Sequence, residues 1–85
     1  MKSAKPLIGR LRWRSRRGML ELELLLLPFA GECLQTMTPD ELASYEALLG
    51  CDDWDIYDWL AGRATPAHDH AGMIALIREF HAQQT

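Results

Sequence analysis

A chain of 85 residues that is 48% hydrophobic and 25% charged has the composition of one folded domain. It is too apolar for a disordered segment and too short to enclose a substrate cavity with a supporting shell of its own, which favours a binding module over an enzyme. The net charge of −3 conceals a split: Lys2, Lys5, Arg10, Arg12, Arg14, Arg16 and Arg17 all precede the first acidic residue, Glu21, so this part carries +7, whereas from Glu21 onward two basic residues face twelve acidic ones, a balance of −10. Such a split predicts an electrostatically two-faced molecule that meets an oppositely charged partner, unless folding mixes the two parts.

In chain order, the first expected element is a helix over about residues 6–16 that carries the arginines and Trp13. A break follows at Arg17-Gly18, where Gly18 reads as a hinge permitting positive φ. Leu20-Glu21-Leu22-Glu23-Leu24 alternates as a strand would, but leucine and glutamate are good helix formers and β-branched residues are absent, so a second helix is expected over about 19–32, with its leucines anchored in the bundle. Pro28 should kink that helix or remove one of its hydrogen bonds. The Leu24–Leu27 run falls far short of the roughly 18 apolar residues a membrane span needs.

Met37-Thr38-Pro39-Asp40-Glu41-Leu42 is a clear helix start. Thr38 is placed to cap, Pro39 fits the first helical position, Glu41 closes a capping box, and Met37 can meet Leu42 as a hydrophobic staple. Leu42, Tyr45, Leu48 and Leu49 continue at helical spacing, and Gly50 stands where a left-handed residue would end the helix. In Cys51-Asp52-Asp53-Trp54-Asp55, either Asp52 or Asp53 could cap a fourth helix whose inward stripe is Ile56, Trp59 and Leu60, with Gly62 as its stop. A fifth start at Thr65-Pro66 leads into Met73, Ile74, Ile77 and Phe80, weakened at Gly72. The expectation is one all-α domain over 1–85, core about 6–82, built as a bundle of about five short helices.

Several chemistries are unsupported. His68-Asp69-His70 places its histidines on different sides of a helix with no third ligand nearby, so no metal is expected. Ser3, Ser15 and Ser44 lie in no nucleophile elbow, and no glycine-rich phosphate loop follows a strand, so no catalytic residue is assigned. Cys33 and Cys51 have no metal spacing and read as reduced, partly buried small hydrophobes in a cytoplasmic protein, with no leader segment before Leu7. Arginines at 10, 12, 14, 16 and 17 could form a nucleic-acid footprint, but a pI near 5.5 and a strongly acidic remainder argue against phosphate and for a protein partner. Trp13, inside the arginine run, is the best candidate for an exposed anchor. Arg17-Gly18-x-x-Glu21 sets a cation, a gap without a side chain and an anion at one helix corner, where a partner's backbone could approach closely.

Trp13, Arg16-Arg17-Gly18-Met19-x-Glu21-Leu22, Pro28-Phe29, Tyr45 to Leu48-Leu49, Cys51-Asp52-Asp53-x-Asp55 and Trp59-Leu60 together resemble the small flavinylation factors of succinate dehydrogenase, over roughly residues 8–80. The resemblance implies a five-helix bundle that binds the flavoprotein subunit of succinate dehydrogenase, and in bacteria also that of fumarate reductase. It implies an assembly chaperone, not an enzyme, which promotes covalent attachment of FAD to a histidine of the client and holds no cofactor stably itself. The family's motif falls on Arg17, Gly18 and Glu21, beside Arg16, with Trp13, Arg10 and Arg14 completing the expected docking set. Two positions depart from the family: Glu23 stands where aspartate is common, and Trp54 where a proline often begins the fourth helix. A regulatory, antitoxin-like binding module is the alternative.

Overall fold

The computed structural model describes residues 5–84, so Lys2, Ser3 and the ends of the expected domain lie outside it. Five α-helices follow in order: α1 (Lys5–Arg14), α2 (Leu20–Cys33), α3 (Pro39–Leu49), α4 (Asp53–Leu60) and α5 (Ala71–Ala82), with 3₁₀ turns at Leu34–Thr36 and His68–His70. The all-α bundle expected from sequence is the fold. Among the described residues, no helix is long and apolar enough to cross a membrane.

Packing centres on α2, which contacts α1, α4 and α5, while α3 leans on α1 and α5. The spacing of its apolar residues explains this position. Leu22, Leu26, Phe29 and Ala30 fall on one face and are buried. Phe29 lies between Tyr45 of α3, with ring centroids 5.6 Å apart, and Phe80 of α5, met edge-on at 5.7 Å, so three helices share one aromatic contact. Each fully buried leucine of this core stabilises the fold by roughly 1.5–3 kcal/mol. The expectation that all the leucines anchor α2 is corrected: Leu20 and Leu24 lie on another face and are 66% and 63% exposed. The helix continues through Pro28, which leaves the Leu24 carbonyl without its usual helical donor. One turn away, His81 Nε2–H donates to the Leu25 carbonyl at 2.7 Å and ties α5 to this stretch.

The helix ends follow local chemistry in some places and tertiary contacts in others. Thr38 Oγ1 accepts from Glu41 N at 3.2 Å and Glu41 Oε1 accepts from Thr38 N at 2.9 Å, the expected capping box, with Pro39 at the helix start. Asp52 is the cap of α4, accepting from Trp54 N at 3.0 Å, which leaves the Asp53 side chain available for another partner. Gly50 is not left-handed: its φ of −79° keeps it in the right-handed region, and the chain turns through bonds to the Ala47 and Leu48 carbonyls. The left-handed glycine is Gly62, at φ +79°, where Arg63 N reaches back to Asp58 O at 2.8 Å and closes α4. The start expected at Thr65-Pro66 falls later, at Ala71, because His70 is first held against α4 by stacking on Trp59 at 5.7 Å and by Cys51 Sγ at 3.2 Å.

Ser15, just beyond α1, is the one buried polar residue of this core. Its hydroxyl donates to Leu11 O at 2.8 Å, so the hydrogen bond of 2.6 Å between Ser15 Oγ and Tyr45 Oη is donated by the tyrosine. Burial pushes the Tyr45 phenol up from 10.0 to about 12, with the Ser15 bond and the Arg17 charge offsetting part of the rise. A raised folded-state value means that the contribution is complete below pH 10 and is lost as pH climbs from 10 toward about 12. Tyr45→Phe should therefore cost about 1 kcal/mol at neutral pH. It should also show a shallower loss of stability than the wild type in urea titrations carried from neutral pH into this alkaline range.

Candidate functional site

The corner between α1 and α2 gathers most of the residues singled out in the sequence. After Arg14 the chain makes a last turn, with Ser15 N bonded to Leu11 O at 3.0 Å and Arg16 N to Trp13 O at 3.1 Å. Arg17 then folds its guanidinium inward, leaving its side chain only 14% exposed. Nε–H donates to Asp53 Oδ1 at 2.8 Å, an Nη1–H to the Arg14 carbonyl at 3.0 Å, and an Nη2–H to the Cys51 carbonyl at 3.2 Å. One planar cation thus satisfies a carbonyl at the end of α1, a carbonyl in the α3–α4 turn and a carboxylate in the first turn of α4. A lysine, with a single point of charge, could not hold this geometry.

Arg17 is therefore the internal tie of the corner, and its neighbours are what faces solvent. Arg16 is exposed, with its guanidinium 5.7 Å from the centre of the Trp13 ring, and Trp13 is 71% exposed. Gly18 is exposed and not left-handed, which corrects the hinge expectation, and a Cβ built on it would meet nothing within 4 Å. Neither backbone strain nor internal packing requires glycine there. Glu21 is exposed in the first turn of α2, and Glu23, two residues on, is half-buried.

The other arginines show that folding mixes the two charged parts of the chain. Arg10 and Arg14 both reach Glu46 of α3, at 3.9 and 3.8 Å, and an Arg12 Nη2–H donates to the Gly31 carbonyl of α2 at 3.3 Å. These exposed, long ion pairs contribute little to stability, but they reduce the expected two-faced potential. Of the five clustered arginines, Arg16 is the one whose charge is directed to no acceptor among the described residues.

Two further features are the cysteine thiols and an apolar groove. Burial, with Glu32 adding to it, pushes the Cys33 thiol up, and burial with Asp55 pushes Cys51 up against a smaller opposing effect of Arg17, so both favour the protonated, weakly nucleophilic form. An open apolar groove of about 270 Å³ between the end of α2, the start of α3 and α5 includes Phe29, Met37, Leu76 and Phe80 and none of the corner residues. Sequence reasoning missed Asp53 as the partner of Arg17, and it left Trp54 unassigned. The available signals were the choice of Asp52 as cap, which releases Asp53, and the offset of Trp54 from the Ile56–Leu60 stripe.

The protein is thus a small all-α bundle that exposes an Arg16–Trp13 pair beside a bare glycine. A family profile described as the flavinator of succinate dehydrogenase matches residues 9–81, and the chain belongs to this family. It is 39% identical over 72 residues to the FAD assembly factor SdhE of Aliivibrio fischeri, covering 84% of each chain. It is 44% identical over 59 residues to the protein of the same name from Pseudomonas aeruginosa, covering 69% of this chain and 70% of that one. Among solved structures, the solution structure of a structural genomics target protein has a TM-score of 0.74 at 33% identity, over 99% of this chain and 89% of that one.

The clamp separates two neighbouring arginines by role. Arg17→Lys should lower the melting temperature of the isolated protein by several degrees, about 1–2 kcal/mol, because one ammonium cannot serve three acceptors on separate segments. Arg16→Lys should leave the melt within about 0.5 kcal/mol of wild type. Calorimetry of both variants checks the contrast.

Proposed function

We propose that this protein is an assembly factor that docks on the flavoprotein subunit of succinate dehydrogenase in the cytoplasm and promotes covalent attachment of FAD to it, with the related fumarate reductase subunit as a second client. In this reading it is not an enzyme and holds no FAD of its own. It fixes the client in an arrangement in which the client's own histidine and flavin react. Family membership over residues 9–81 supports the assembly role.

The observation that carries the docking site is Gly18. A glycine whose φ is ordinary and whose missing Cβ would touch nothing within 4 Å is not needed by the fold, so in this reading its bare backbone serves the approach of a partner. Arg16 and Trp13 on one side and Glu21 on the other then supply a cation over an aromatic ring and an anion flanking that bare backbone. Arg and Trp are the residue types that dominate binding energy at protein interfaces. Arg17 holds the corner in shape, and Arg10 and Arg14, shared with Glu46, lie at its rim.

The test is flavin fluorescence retained on denatured flavoprotein, produced with and without this protein and its variants. Gly18→Ala should leave the melting temperature unchanged or slightly raised, since it removes only unfolded-state freedom. Gly18→Arg should abolish covalent FAD on the client at a nearly unchanged melting temperature. If instead it melts far lower and the folded fraction works normally, the glycine serves the fold and the docking role is rejected.

Glu21 and Glu23 provide a second contrast. Two residues apart on one helix, they point about 200° away from each other. Their interactions with the helix dipole are similar and small, each below about 1 kcal/mol, so stability cannot separate them. Glu21→Gln should greatly reduce client flavinylation while Glu23→Gln behaves nearly as wild type, with thermal melts of both alongside. Equal loss from the two variants would reject Glu21 as a docking element.

A further inference from the structure

Besides Trp13, Trp54 is the other tryptophan left largely exposed, at 61%, and the buried core does not use it. It is not on the buried stripe of α4, which is Ile56 and Leu60. Its indole is nevertheless held: it stands edge-on to Tyr57 at 6.3 Å, and the other end of this small stack is fixed by the Arg63 guanidinium, 5.5 Å from the Tyr57 ring centre. A large aromatic side chain left in solvent with a ring contact along one edge is of the type that anchors protein interfaces. The Arg17–Asp53 bond of 2.8 Å joins the residue preceding Trp54 to the residue preceding Gly18. The α4 N-terminus and the arginine corner are therefore tied directly to each other.

We propose that Trp54 is a second anchor of the docking surface, inserting into an apolar pocket of the client flavoprotein whose rim is basic. This rests on the flavoprotein reading above. The partner chemistry follows from the neighbouring charges: Asp52, which caps α4, and Asp55 are both exposed and flank Trp54 in sequence, so the complementary surface presents Arg or Lys, which can pair with the carboxylates and lie over the ring face. The arginine corner, with Arg16 over Trp13, asks for the opposite sign. The surface is thus bipolar, and two aromatic anchors with flanking charges of opposite sign fix the orientation of the client as well as its attachment.

The experiment measures the affinity of the purified full-length protein for the purified flavoprotein subunit of succinate dehydrogenase by titration calorimetry, with thermal melts of each variant. Trp54→Ala should weaken binding about tenfold or more at an unchanged melting temperature, and Trp54→Phe should recover most of the loss. Asp55→Arg, which leaves the aromatic stack in place, should weaken binding and reverse the sign of the local salt effect, so the proposal does not depend on the alanine variant alone. Binding by Trp54→Ala and Asp55→Arg within twofold of wild type, while Gly18→Arg fails to bind, overturns the second anchor and leaves the flavoprotein reading intact. Failure of the wild type itself to bind the flavoprotein overturns both.

Discussion

The guanidinium of Arg17 is the interaction on which the candidate site depends. Three segments distant in sequence, the end of α1, the α3–α4 turn and the first turn of α4, each present it with one oxygen, and its planar fork meets all three. A cation so nearly buried would be costly alone, but here a carboxylate and two carbonyls replace the water it gives up. Two of those carbonyls need a donor for their own reasons, since a helix end and a tight turn leave carbonyls unpaired. The same contacts that satisfy the backbone therefore orient Arg16, Gly18 and Glu21 outward.

The second constraint is size. A bundle of 85 residues can bury only a limited apolar surface, and α2, at its centre, has more than one apolar face. Leu22, Leu26 and Phe29 occupy the core, whereas Leu20 and Leu24 remain in solvent beside Glu21. Exposed leucines on a helix that also bears the motif glutamate extend the apolar surface along from the arginine corner. One side of α2 builds the fold, and another, with Leu20 and Leu24, stays exposed in the stretch that follows the arginines.

Much of the fold was legible because it is written in local chemistry. The Thr38-Pro39-Glu41 capping box specifies the start of α3 within its own four residues, and the helix-forming leucines and glutamates, with no β-branched residue among them, specify a helix over a strand despite their alternation. Gly50 and Thr65 misled for a shared reason. Each has a residue type suited to a helix terminus, but the conformation there is decided by contacts from elsewhere: the turn after α3 is held by Arg17, and the approach to α5 by the Cys51–His70–Trp59 cluster. The site was legible as a set of residues and not as a set of roles. Arg16 and Arg17 are equivalent in sequence, yet one stacks on an exposed tryptophan and the other is folded inward.

Sequence alone determined the all-α class, the helical state of the leucine-rich stretch and the closeness of Arg16, Arg17, Gly18 and Glu21 at the start of α2, because helix propensity, caps and the Arg-Gly-x-x-Glu spacing act within a few residues of one another. The tertiary structure decided which of those residues face outward. Arg17 became a clamp only when Asp53 and the Cys51 carbonyl arrived from another part of the chain. Gly18 proved unconstrained only when its surroundings were seen to be empty. The excess of seven positive charges in the N-terminal part was partly neutralised only when Glu46 and Asp53 packed against it. Charge and exposure depend on distance in space, and the order of residues along the chain does not specify that distance until the helices pack.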